Sequence, residues 1–145
     1  DFYVVLNVLP HKLFTRHGLD LELEIPITFA QAALGADVTI PTMEEKVTYK
    51  IPAGTQPDTT FRLKGKGVKA PNSSMRGDLY VKVCLEVPTK LTAEQKRLIQ
   101  QMDDSVDSEE AYQKKKSFAE TMKELFSGES KTKTPSDRKK KKKKQ

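Results

Sequence analysis

Two histidines, one cysteine and one glycine-lysine loop are the residues whose types could carry chemistry. A metal held by His11 and His17 would need further carboxylate or thiolate ligands at defined spacing, and none stands beside them. Both read as surface-loop histidines. Cys84 lies in an alternating apolar run with no paired base to raise its thiolate fraction, so it reads as sheet packing rather than as a nucleophile. A lone cysteine also excludes an internal disulfide framework. The loop Lys64-Gly65-Lys66-Gly67 has the composition of a phosphate cradle but lacks the G-x-x-x-x-G-K-[ST] spacing that aims backbone N–H groups at a phosphate. It reads as a tight turn in which Gly65 and Gly67 supply backbone conformations other residues resist. No serine sits in a strand-turn-helix elbow. The chain therefore reads as a non-enzyme, with no catalytic, cofactor-binding or metal-ligating residue assigned and no cofactor expected.

The elements around these residues are mostly strands. Residues 1–9 are β-branched and aromatic and stop at Pro10. Residues 19–27 alternate, with Leu19, Leu21, Leu23, Ile25 and Ile27 on one face and Asp20, Glu22 and Glu24 on the other. That period of two marks a half-buried strand. Residues 28–34 form a short helical turn, with Thr28 as N-cap and Gly35 as stop. Strands follow over 37–40, 46–51, 60–64 and 78–87, separated by Pro- and Gly-rich connections. Beyond Pro88 the pattern changes. Thr92 and Gln95 make a capping box, and Leu98, Ile99, Met102 and Val106 follow at helical spacing. A polar linker is expected over 103–116. Phe118, Met122, Leu125 and Phe126 then recur as one stripe of a second helix. The fold class is mainly β, a small antiparallel sandwich-like domain with one short helix, followed by C-terminal helices.

The net charge of +6 is not spread evenly. From residue 127 onward there are nine Lys and Arg against two Asp and Glu, leaving 17 basic and 18 acidic residues before it. A nucleic-acid-binding domain carries its basic patch on the fold; here the charge lies in a tail, expected to be disordered and solvated. Contact with nucleic acid or a ribosome through that tail stays open as an alternative. No apolar run is long enough to cross a bilayer and no signal segment opens the chain, so a soluble, cytoplasmic protein is expected, with no membrane partner.

Two strands look like copies of one another. Asp1 to Pro10 and Asp78 to Pro88 both read D-x-Y-V, then alternating apolar residues, then Pro. If the second copy closes its β-domain, the first would close an earlier one. The ordered motifs between them carry a family resemblance. Pro10-His11-Lys12-Leu13-Phe14-Thr15-Arg16-His17-Gly18, Ala32-Ala33-Leu34-Gly35, Ile40-Pro41-Thr42, Ile51-Pro52 with Gly54-Thr55-Gln56, Arg62-Leu63 with Gly65-Lys66-Gly67-Val68, and Arg76-Gly77-Asp78-Leu79-Tyr80-Val81 occur in sequence order. In that order they resemble the C-terminal region of DnaJ-type heat-shock co-chaperones, over residues 1 to about 102.

The resemblance implies residues 1–18 as closing strand and linker of a preceding β-domain, 19–90 as the C-terminal β-domain, 91–126 as a helical dimerisation region and 127–145 as the basic tail. It implies a chaperone of the stress response that binds unfolded protein clients and pairs as a homodimer. It also implies a DnaK-type chaperone as partner, met through a J domain whose H-P-D motif is not in these residues. The family's zinc domain needs repeated C-x-x-C motifs, which one cysteine cannot supply. Leu98, Ile99, Met102, Phe118, Met122, Leu125 and Phe126 are the dimerisation candidates. Phe29, Val38, Val47 and Phe61 are the client-binding candidates, with core packing as their ordinary role. A module for dimerisation only, with client binding in the preceding β-domain, is the narrower alternative.

Overall fold

The computed structural model describes residues 13–130. The expected strand over residues 1–9, His11 and the lysine run lie outside the described residues. The chain divides into two compact units between Lys90 and Leu91.

The first unit is mainly β. Its strands are β1 (Phe14–His17), β2 (Asp20–Ile27), β3 (Ala36–Pro41), β4 (Lys46–Ile51), β5 (Thr60–Leu63) and β6 (Leu79–Leu85), with helix α1 (Phe29–Leu34) between β2 and β3. Four strands form a sheet in the order β1-β2-β6-β5, and β3 and β4 form a separate antiparallel hairpin. The two outer pairings of the larger sheet are antiparallel. The central one, β2 with β6, is parallel, from Leu21 opposite Leu79 to Ile27 opposite Leu85. Alternation marks a strand without giving its direction. A parallel pair needs a long crossover, and here α1, the hairpin and β5 supply it.

Period two sorts the residues as the pattern requires. Leu21, Leu23 and Ile27 on β2, and Leu79, Val81 and Val83 on β6, are buried, while Glu22, Glu24 and Lys82 face solvent. The hairpin closes the core. Ile40 of β3 joins Leu21, Leu23, Leu63, Leu79 and Val81 in one cluster. Ile51 of β4 joins Ile27, Val83 and Ala32 of α1 in another. Both ends of α1 follow its sequence. Thr28 and Gln31 satisfy each other's backbone groups in a capping box, and Gly35 ends the helix at φ 81°. A side chain at Gly35 would come within 2.9 Å of the Ile51 carbonyl oxygen, so the glycine also sets how closely α1 meets β4.

The second unit holds helices α2 (Ala93–Ser105), α3 (Ser108–Ala111) and α4 (Gln113–Ser130). Thr92 and Gln95 form the expected capping box at α2. Three expectations need correction. The linker expected over 103–116 is largely helical, because its Lys, Glu and Gln are good helix formers that need no buried face. Helix α4 runs on to Ser130, past the expected boundary at Phe126, because extending a formed helix adds a backbone hydrogen bond for each residue fixed and needs no new nucleus. Residues 14–17, expected as linker, form edge strand β1, with Phe14 packed against the core and Gly18 turning the chain at φ 63°.

Leu79→Ala tests where stability resides. Leu79 is fully buried, and its truncation should cost about 2–5 kcal/mol in urea denaturation. Leu34→Ala, at a residue 79% exposed, should stay within about 0.5 kcal/mol.

Candidate functional site

The Gly-Lys-Gly loop and the Arg-Gly-Asp triplet, far apart in sequence, meet at the N-terminal end of β6. The Asp78 carboxylate accepts the Gly65 backbone N–H at 2.8 Å and the Arg62 Nε at 2.7 Å. A second Arg62 nitrogen lies 2.6 Å from the same carboxylate. The Asp78 backbone N–H donates to the Asp20 carboxylate at 2.8 Å, and the Asp78 carbonyl accepts the Leu21 N–H at 2.9 Å. Leu19 completes the junction, its carbonyl accepting the Val68 N–H at 2.7 Å. Around that carbonyl there is room only for glycine. A Cβ on Gly67 would sit 2.5 Å from the Leu19 oxygen, and one on Gly77 would clash with it outright. Gly65 has the left-handed φ of 74° that a tight turn needs. Gly67 and Gly77 serve close approach instead. The loop between them is tied to the β3–β4 turn by Arg76 to Glu44 at 2.5 Å and by Lys66 to Glu45 at 3.4 Å. This junction is architecture. It holds the Gly65 N–H and the Arg62 guanidinium against Asp78 and so keeps that carboxyl below its ordinary range, against the opposing effect of desolvation.

The binding candidates separate by exposure. Val38 and Val47 pack against the first core cluster, and Phe61 joins the second, its ring 5.1 Å from that of Tyr49. Phe29 is exposed at the start of α1. Leu34, which in the sequence belongs to the Ala32-Ala33-Leu34-Gly35 motif, is more exposed still. It borders a surface depression of ≈ 610 Å³ lined also by Gly35, Ala36, Asp37, Lys50, Ile51, Pro52 and Ala53. The signal was available: in a six-residue helix, burying Ala32 turns Leu34 away from the core. β3 and β4 pair only with each other among the described residues, so each has one edge without a strand partner.

The helical candidates share one property. Leu98, Ile99 and Met102 on α2 are 45–50% exposed, and Phe118, Leu125 and Phe126 on α4 are 57–67% exposed. Met122 is half-buried. No residue of α2 is buried. Acidic Asp103, Asp104, Asp107, Glu109 and Glu110 lie between the two stripes, and Lys114, Lys115 and Lys116 follow after three more residues.

Of the residues considered for chemistry, His17 contacts Glu22 at 3.2 Å on the exposed face of the β1–β2 hairpin. Cys84 is half-buried on the face of β6 opposite the core residues. Among the described residues no group of three or more His, Cys, Asp or Glu could hold a metal ion. None of their helices is long and apolar enough to cross a membrane.

The chain matches the family model described as the DnaJ C terminal domain over residues 1–88. It is 46% identical over 126 residues to a chaperone protein DnaJ of Ruminiclostridium cellulolyticum, covering 87% of this chain and 33% of that protein. It is 48% identical to the one of Acetivibrio thermocellus, covering 87% and 32%. With the one of Desulfitobacterium hafniense it shares 50% identity, covering 86% and 33%. The chain thus spans about a third of the length of the curated relatives it matches.

The Asp78 junction gives a pH prediction. A carboxyl whose pKa is lowered by folding stabilises the fold above the ordinary carboxylate range, and that stability is lost as pH falls through the lowered value. Asp78→Asn should therefore lower the melting temperature at neutral pH. The gap between variant and parent should narrow as pH drops below the ordinary aspartate range, as read by thermal denaturation monitored by circular dichroism. An equal gap at neutral and strongly acidic pH would assign the effect to hydrogen-bond geometry alone.

Proposed function

The chain belongs to the DnaJ C-terminal domain family, and from that premise we propose that it is a non-enzymatic chaperone module that holds unfolded protein clients and pairs with a second copy of itself. The observation that carries the pairing is the exposure of both apolar stripes, none of whose α2 residues is buried. Fully burying each large apolar side chain is worth about 1.5–3 kcal/mol. Charge favours a second copy as the occupant. The acidic run ending at Glu110 and the basic run Lys114 to Lys116 are complementary. A two-fold arrangement can set each run against its opposite on the partner, using one contact set twice.

Client holding rests on α1 and the hairpin. Leu34 and Phe29 offer apolar contact beside strand edges that an extended chain could join through backbone hydrogen bonds. Two modules joined in a dimer would bind two segments of one client with a gain in effective concentration. On the same reading the protein works in the cytoplasm, in the stress response, beside a DnaK-type chaperone engaged through the family's J domain.

A specific observation favours a narrower second reading. Three of the four client candidates, Val38, Val47 and Phe61, pack against the core, which leaves a module for dimerisation alone. Fluorescence anisotropy with a labelled unfolded peptide separates the two. Binding that weakens at least about fivefold in the double variant Phe29→Ser, Leu34→Ser, a loss of about 1 kcal/mol, supports client holding; no binding by the parent chain leaves dimerisation alone. For the pairing itself, sedimentation across concentration should give a dimer for the chain and a weaker one for residues 1–107, which lack α4. A chain monomeric at all concentrations ends the proposal. Equal dimers from both would assign the pairing to Leu98, Ile99 and Met102.

A further inference from the structure

The chain has four methionines, and they sit in four different surroundings. Met43, in the β3–β4 turn, packs against the core. Met75, in the loop between β5 and β6, is 64% exposed. Met102 belongs to the α2 stripe and is 45% exposed, and Met122 is half-buried in the α4 stripe. Each helical stripe thus has one methionine, flanked by Leu98 and Ile99 in one and by Phe118, Leu125 and Phe126 in the other. A thioether is apolar and packs as Leu does, but it is the one side chain of either stripe that a peroxide converts to a polar group.

We infer that Met102 and Met122 form a redox-sensitive device that dissolves the self-association of this chain; the inference rests on the pairing proposed above. The co-reactant is a hydroperoxide. The thioether sulfur attacks one peroxide oxygen, an S–O bond forms and the O–O bond breaks. The sulfur loses two electrons, and the second oxygen leaves as water when the peroxide is hydrogen peroxide. The product sulfoxide is a strong hydrogen-bond acceptor on a stripe that, once paired, has no water to satisfy it, so the oxidised chain is held as single copies. Each sulfoxide is reversible by methionine sulfoxide reductases. A two-fold pair would hold four such sulfurs, so the effect is exerted twice on each side of the interface.

The free protomer is the form attacked, so mass action makes pairing and oxidation oppose each other. Between total concentrations of about one tenth and about one hundred times the dissociation constant, the free-protomer fraction falls about tenfold. Met75 lies outside the helical unit and is the internal reference.

The test treats the whole chain with hydrogen peroxide across that concentration range and follows each methionine by peptide mass spectrometry, with mass in solution measured in parallel. The expected result is a rate at Met102 and Met122 that falls about tenfold as concentration rises, while the rate at Met75 stays constant. The doubly oxidised chain should sediment as a monomer and regain the dimer after reductase treatment. In Met102→Leu with Met122→Leu, whatever dimer fraction the untreated variant shows should be unchanged by the same peroxide exposure. Two results would overturn the inference while leaving the pairing intact: a dimer that persists with both sulfoxides present, or the Leu variant dissociating as fully as the parent. If the untreated chain is monomeric throughout, the pairing itself fails and the inference falls with it.

Discussion

Two strands that are neighbours in space but far apart in sequence must run side by side in the same direction, and the Leu19–Asp78 junction holds them there. β2 and β6 form the centre of the larger sheet and supply most of its buried side chains. A parallel pair has no tight turn to set its register, unlike a hairpin. Here the register is set at the first residues by hydrogen bonds in both directions: the Asp78 N–H to the Asp20 carboxylate, and the Leu21 N–H to the Asp78 carbonyl. A slip of one residue would turn Leu79, Val81 and Val83 to solvent and Tyr80, Lys82 and Cys84 to the core. The glycines at 67 and 77 follow from the same constraint, because the loop must cross within van der Waals reach of the Leu19 carbonyl.

This explains which parts were legible in the sequence. Strands β2 and β4 and helix α1 could be read from local signals: alternation, a capping box and a stop glycine. The Gly-Lys-Gly loop was correctly read as a turn, but for half of its reason. Gly65 is demanded by its own φ, which turn composition reveals. Gly67 and Gly77 are demanded by a carbonyl that belongs to Leu19, which no local pattern shows. The parallel sense of β2 and β6 was illegible for the same reason. Edge strand β1 was hidden because four residues with one apolar contact, Phe14, carry little periodicity.

The helical unit obeys different rules, and its legibility was the reverse. The apolar stripes could be read from spacing, whereas the helix between them could not, since a charged helix leaves no periodic apolar signal. Of the binding candidates, Val38, Val47 and Phe61 stand out in the sequence by type alone. Type alone does not separate a strand's inner face from a pocket. Leu34 belongs to a motif that gives it no surface role, although its position two residues after buried Ala32 turns it outward.

Two helix ends in the helical unit meet unfavourable electrostatics. The first turn of α4 has no acidic residue and instead carries Lys114, Lys115 and Lys116, where the helix dipole already presents positive charge. No basic residue offsets the negative end of α2, and Asp103 and Asp104 sit there. Both helix ends thus carry charge of the unfavourable sign, and an isolated helix of such length is marginal in water. What both ends lack, the opposite charge, is what the other end offers, and what both stripes lack, apolar cover, is what the other stripe offers. On the proposed pairing, a second copy would meet both needs with residues already in the chain. In that proposed arrangement each stripe methionine would be a point where one added oxygen acts on both copies.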